Sequence, residues 1–155
     1  MFHSRISRLL AVGALAGAAA LTSAPFVGSA SPVTQIVCKK LTGNIATTVT
    51  LSACTSAATG GSSKAIQATA LASGGTINWV NGKSTTVTLS ISQNEKDGTE
   101  TQVCPAGTSE YEAKGKVTAD NTGFAPVGGV AKAEACVNGT TGAITLEPGS
   151  KGIFR

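Results

Sequence analysis

The side chains of this chain that could do covalent or metal chemistry are four cysteines, Cys38, Cys54, Cys104 and Cys136, and a thin scatter of carboxylates. A tetrathiolate metal site gathers its ligands in close pairs, roughly two to four residues apart, and no such pair exists here. Thiol redox catalysis uses Cys-x-x-Cys, which is also absent. An even number of widely spaced cysteines reads instead as disulfides, and four allow three pairings. The sequential scheme, Cys38–Cys54 and Cys104–Cys136, is the one expected, because each bridge closes a compact unit. Side-chain parity supports the second bridge. Cys104 shares a strand face with Glu100 and Gln102, and Cys136 shares one with Lys132 and Glu134, so two neighbouring strands could bring them together on a polar face.

Other chemistry is scarce. The single histidine is His3, and the single methionine is Met1. Beyond the first residues no Ser-His-Asp, Cys-His or histidine-ligated zinc site can be assembled. Glu110 and Glu112 could in principle form a hydrolytic carboxylate pair. As alternating positions on a strand they read better as solvated charges. Asp97 and Asp120 fall in turns, where aspartate bonds its own backbone. Trp79, next to a turn, is the one aromatic considered as a contact residue. Beyond residue 30 the remaining rings, Tyr111, Phe124 and Phe154, are too few for a base- or sugar-stacking platform. The composition therefore calls for no catalytic residue, no metal and no cofactor.

The elements that carry these residues follow an apolar leader. Leu9 to Leu21 is an uncharged run behind Arg5 and Arg8, ending in small residues. That is the pattern of a secretory signal peptide over residues 1–30, cut after Ala30. The run falls short of the roughly 20 apolar residues a membrane-spanning helix needs. Losing the two arginines lowers the net charge from +4 to +2. With one basic pair, Lys39-Lys40, and the other lysines scattered singly, nothing forms a nucleic-acid footprint. No later run could span a bilayer. Export to an oxidising compartment agrees with disulfides. Leu51-Ser52-Ala53-Cys54 has lipobox letters but lies far beyond the apolar run, so it reads as the end of a strand.

Residues 31–155 read as a single all-β domain. Thr, Val, Ser and Gly dominate, and apolar and polar residues alternate between turn residues. About ten strands are expected, as an antiparallel β-sandwich or small β-barrel stapled by disulfides. Val33 to Leu41 and Ile45 to Cys54 form the first pair, with Ile45, Val49, Leu51 and Ala53 on one face. Thr55 to Ser63 reads as a loop; Lys64 to Ala72 has helix propensity, but its nine-residue length and Gly-rich flanks favour a strand. Thr76 to Ser92 is a hairpin around Asn81-Gly82. A two-residue turn would oppose Ile77 to polar Thr86. A three-residue loop, Val80-Asn81-Gly82, aligns Ile77 with Thr85 and matches the apolar faces, with Gly82 left-handed. Thr99 to Cys104 is a further strand. Along Glu110 to Ala119, the residues Tyr111, Ala113, Gly115, Val117 and Ala119 face inward. Ala131, Ala133, Ala135 and Val137 do so along Val127 to Val137. Ala143 to Glu147 and Gly152 to Phe154 close the chain.

The segments Cys38-Lys39-Lys40-Leu41-Thr42-Gly43, Leu71 to Trp79 with Asn81-Gly82-Lys83, Cys104-Pro105-Ala106-Gly107 and Cys136-Val137-Asn138 resemble a group of short secreted actinobacterial proteins. That group has no assigned activity, so the likeness implies export and brings neither catalytic residues nor a ligand. Three functions are open to such a chain. The first is a non-enzymatic exported domain that binds a protein or an envelope component. The second is an extracellular carrier of a small apolar molecule, for which the small inward residues Ala113, Gly115, Ala131, Ala133 and Ala135 would leave room. The third is a carboxylate hydrolase.

Overall fold

The computed structural model describes residues 34–94 and 103–155. The expected leader lies outside them, as do residues 99–102 of the expected strand ending at Cys104. The described chain is mostly antiparallel sheet, with almost no helix. Its strands are β1 (Ile36–Asn44), β2 (Thr48–Cys54), β3 (Ile66–Gln67), β4 (Gly75–Asn78), β5 (Ser84–Gln93), β6 (Thr108–Asp120), β7 (Val130–Asn138), β8 (Ala143–Leu146) and β9 (Gly152–Phe154). Two single-turn helices, α1 (Ser56–Thr59) and α2 (Ala68–Ala72), interrupt them. No helix among the described residues is long and apolar enough to cross a membrane.

Neighbouring strands run in the order β3-β2-β1-β8-β7-β6-β5-β4. β8 and β9 share one slot end to end. β8 pairs Thr42 to Asn44 of β1 and Ala135 to Val137 of β7. β9 pairs Ile36 to Cys38 of β1 and Ala131 to Lys132 of β7. The two ends of this order then meet. Ser62 bridges Ser52 of β2, and Ser63 bridges Trp79 just beyond β4. The amides of Ser63, Lys64 and Val80 donate to the carbonyls of Leu51, Asn78 and Ser62 across those bridges, at 2.9, 2.7 and 3.1 Å. Of the two expected architectures this is the barrel. Closure leaves few strand edges open to pairing with other chains.

The β4–β5 hairpin has the three-residue loop that matching of apolar faces requires. Ile77 opposes Thr85, the Trp79 amide donates to the Lys83 carbonyl at 2.8 Å, and Gly82 has φ 84°. The hexapeptide TTVTLS occurs twice, at Thr47 to Ser52 and Thr85 to Ser90. In β2 it buries Val49 and Leu51; in β5 it buries Val87 and half-buries Leu89.

Three assignments of strand face change: two residues expected inward and one expected outward. Ala53 is exposed, with φ 51°, the only non-glycine described residue in the left-handed region. That conformation flips the face of β2, so Cys54 rather than Ala53 continues the buried row of Val49 and Leu51. Ala119 is exposed because the β5–β6 register shifts between Thr86 and Val87. Beyond that bulge Asp120, not Ala119, stands opposite Thr85. Glu110 is buried rather than solvated, lying beside Cys104 and Glu147 and accepting a hydrogen bond from the Asn94 side chain at 3.3 Å.

Two elements also differ in type. The expected strand over Lys64 to Ala72 reduces to β3 and then turns into α2. The Ala-Thr-Ala-Leu-Ala run has good helix formers, and it crosses the barrel end instead of extending the wall. The expected loop at Thr55 to Ser63 contains α1 and ends in the bridges that close the barrel. Val103 and Cys104, the described end of the strand expected from Thr99, are not in a strand.

The core is packed around Trp79, Ile36, Ile77, Val87 and Val117. Trp79 is fully buried and meets Phe154 edge to face at 6.1 Å between ring centres. Its Nε1–H donates to Thr85 Oγ1 at 3.0 Å, and that hydroxyl donates to Asp120 Oδ1 at 2.6 Å. Asp120 also accepts from the Thr122 hydroxyl and the Gly123 amide. The buried indole and threonine therefore have their hydrogen bonds made, as burial of polar groups demands.

Candidate functional site

At the end of the barrel crossed by α2, the packing stops short of filling the interior. A cavity of about 340 Å³ remains. Leu41 of β1 and Val49 and Leu51 of β2 form one wall, and Leu89 and Ile91 of β5 form another. Tyr111 and Ala113 of β6 and Ala133, Ala135 and Val137 of β7 form the third. Ile144 and Phe154 reach in from the shared β8/β9 slot, and Leu71 of α2 lies across the end. α2 is held against β4: a Cβ on Gly75 would stand 2.6 Å from the Ala70 carbonyl oxygen.

Ile45 and Ile91 line the cavity yet are about half exposed, 45% and 49%. They mark where the cavity meets solvent. Exposed large apolar side chains that continue into an apolar recess are what a ligand entrance presents.

Alternation produces the roomy wall. Successive side chains of β6 and β7 point to opposite faces. Ala113 and Ala133 sit directly opposite each other, as do Tyr111 and Ala135. Small residues meeting across the same rung leave space that a leucine pair would fill. Two of the five small residues expected to make room do not border the cavity. Ala131 is fully buried in packed core. At Gly115 the β5 backbone comes so close that a Cβ would lie 1.8 Å from the Thr88 carbonyl oxygen.

The opposite face of the same strands carries the charges. Glu112 stands opposite Glu134, and Lys114 opposite Lys132. Like charges in register would repel, so the attractions run along and diagonally across the strands. Lys114 Nζ is 2.7 Å from Glu112, and Lys132 Nζ is 2.8 Å from Glu134 and 3.4 Å from Glu112. The hydrogen bond from Lys114 is the largest influence on Glu112 and holds its carboxyl below the usual range, with Lys132 adding to it. The hydrogen bond to Glu134 is the largest influence on Lys132 and raises its ammonium above the usual lysine value. Two carboxylates and two ammoniums thus neutralise one another, and of the four only Lys132 borders the cavity.

The four cysteines form the sequential pairs. Cys38–Cys54 clamps β1 to β2 inside the core, and Cys104–Cys136 ties the chain before β6 to β7. Cys54 is therefore the disulfide-bonded end of a strand. Trp79, considered as a contact residue, is a core residue with no exposed surface. Glu110 and Glu112 do not converge on one cleft. Glu110 lies buried near Cys104 and Glu147, whereas Glu112 belongs to the lysine-paired network. Cys104 is bonded to Cys136 and offers that group no thiolate.

Sequence reasoning pointed to Ala113, Ala133 and Ala135, and it missed the walls from β1, β2, α2 and β8. Their apolar residues look like any core residue, because only the curvature of the closed sheet decides whether opposing walls touch. No protein-family model, no curated protein and no solved structure matches this chain.

Proposed function

We propose that this chain is an exported, non-enzymatic β-barrel that carries a small apolar molecule. The observation that carries the reading is the cavity itself. Its volume of about 340 Å³ lies within the range of ligand sites, about 300–1,000 Å³, and its walls are largely apolar. A core with no function of its own has no reason to keep such a void, since interiors pack to crystal-like density and unfilled space costs stability. Two disulfides and the leader-like first thirty residues support an oxidising, extracellular site of action. The likeness to short actinobacterial secreted proteins agrees with export. A role at the cell envelope is compatible with carrying, because the outer face remains available to a partner.

The test is direct. Protein produced with its leader and purified oxidised from the medium is titrated with N-phenylnaphthylamine, a neutral dye that brightens in apolar surroundings. Saturable one-to-one binding is expected. Absence of saturable binding removes the carrier reading.

A further inference from the structure

If the barrel is a carrier, its lining also restricts what it carries. Charge is the first restriction. Among the described residues, Lys132 is the one charged group bordering the cavity, and its ammonium already serves Glu134 at 2.8 Å and Glu112 at 3.4 Å. Glu112 is in turn held by Lys114. An anionic guest would find no uncommitted cation in this wall, and a cationic guest no acid. Burying an ion without a partner is heavily penalised.

Hydrogen bonding is the second restriction. Apart from Lys132, the described side chains bordering the cavity that can hydrogen-bond are those of Tyr111 and Thr69. Tyr111 is half-buried on β6, next in the inward row to Ala113. A phenol both donates and accepts, so it can meet either a hydroxyl or a carbonyl. Thr69 is exposed, so Tyr111 is the one half-buried neutral side chain of this wall that can hydrogen-bond, and the rest is apolar. A sugar or a peptide would forfeit most of its hydrogen bonds on entry.

Size is the third. At about 30 Å³ per water, the volume equals ~11 waters, near the lower end for ligand sites. Residues of β1, β2, β6, β7 and α2 all border this one space.

We propose that the guest is a neutral, compact aliphatic molecule bearing one hydroxyl or carbonyl oxygen, with Tyr111 as the residue that recognises that oxygen. This rests on the carrier reading, and the experiment separates the two. Adamantanemethanol and adamantanecarboxylate share a compact hydrocarbon body and differ in charge. Each is used to displace bound N-phenylnaphthylamine from the oxidised protein at neutral pH.

The alcohol should displace the dye, and the carboxylate should be at least ~30-fold weaker. Tyr111→Phe should weaken the alcohol by roughly 3- to 10-fold, the worth of one hydrogen bond, after correction for the dye affinity measured on the same variant. Carboxylate competing within threefold of the alcohol overturns the neutral-guest inference while the carrier reading stands. Equal alcohol affinity in Tyr111→Phe overturns the role of Tyr111. Failure of the dye to bind the unaltered protein removes the carrier reading itself.

Discussion

Ala133→Leu is the perturbation that most sharply tests whether the void is real. Ala133 borders the cavity and faces Ala113 across the β6–β7 rung. Leucine adds three carbons to that space. At ~0.8 kcal/mol per buried CH₂ the gain is about 2.4 kcal/mol. Ordering the leucine side chain costs roughly 0.5–1 kcal/mol. The net expectation is ~1.5 kcal/mol of added stability, reduced in proportion to how far the side chain stays wet at the entrance. For a domain of this size, about 4 °C in melting temperature accompanies each kcal/mol, so a rise of ~6 °C should be seen. The assay is urea unfolding of the oxidised protein, read by Trp79 fluorescence, with an unchanged denaturant slope. The same variant should bind N-phenylnaphthylamine at least ~10-fold more weakly, because the space is taken. Ala131→Leu, two residues earlier on the same face, is the control. Ala131 is fully buried in packed core, so the same added carbons should cost about 1–3 kcal/mol. Equal destabilisation by the two substitutions would refute the reasoning, since it would mean that both positions are already full.

Three further outcomes follow from named contacts. Gly115→Ala should cost at least ~2 kcal/mol in urea unfolding, since its Cβ would meet the Thr88 carbonyl oxygen at 1.8 Å and backbone would have to move. Glu112 has its carboxyl held below the ordinary value of 4.5, so its contribution is complete above that value and disappears as pH falls through the lowered one. Glu112→Gln should therefore flatten the acid side of a melting-temperature profile and leave its alkaline side little changed; the whole effect stays below ~1 kcal/mol for surface pairs, and an unaltered acid limb counts against the pairing. Replacing Cys38 and Cys54 by alanine should cost about 3 kcal/mol and replacing Cys104 and Cys136 slightly more, because the loops closed span 16 and 32 positions; the reverse ranking in calorimetry would mean that packing around Cys38–Cys54 outweighs chain entropy.

Much of the barrel wall is legible in the sequence because its determinants are local. Strict alternation in β6 and β7 names the inward row from Tyr111 to Val117 and from Ala131 to Val137. The requirement that Ile77 face an inward partner selects a three-residue hairpin loop over the commoner two-residue turn. The Cys104–Cys136 bridge forms as expected, but strand parity applies only to Cys136, because Cys104 is not in a strand. The failures occur where one residue breaks the two-residue period. Ala53 turns left-handed and sends Cys54 inward, and the bulge at Thr86 and Val87 exchanges Ala119 for Asp120. Neither position holds the glycine that would have signalled it.

Barrel closure and the cavity were hidden for a different reason, since both depend on contacts between distant parts of the chain. Closure runs through two isolated bridges at Ser62 and Ser63, in a stretch with no strand pattern of its own. The cavity is a shortfall between facing walls, and shortfall has no signature in any one wall. Smallness shows this most clearly. Gly115 and Ala131 are small because a neighbouring strand or packed core lies against them. Ala113 and Ala133 are small with nothing opposite, and the sequence writes both conditions in the same letters. Closed packing needs the first pair and would gain from enlarging the second. A chain that nevertheless keeps alanine at both lining positions is forgoing stability there, which is the physical ground for expecting a guest to supply it.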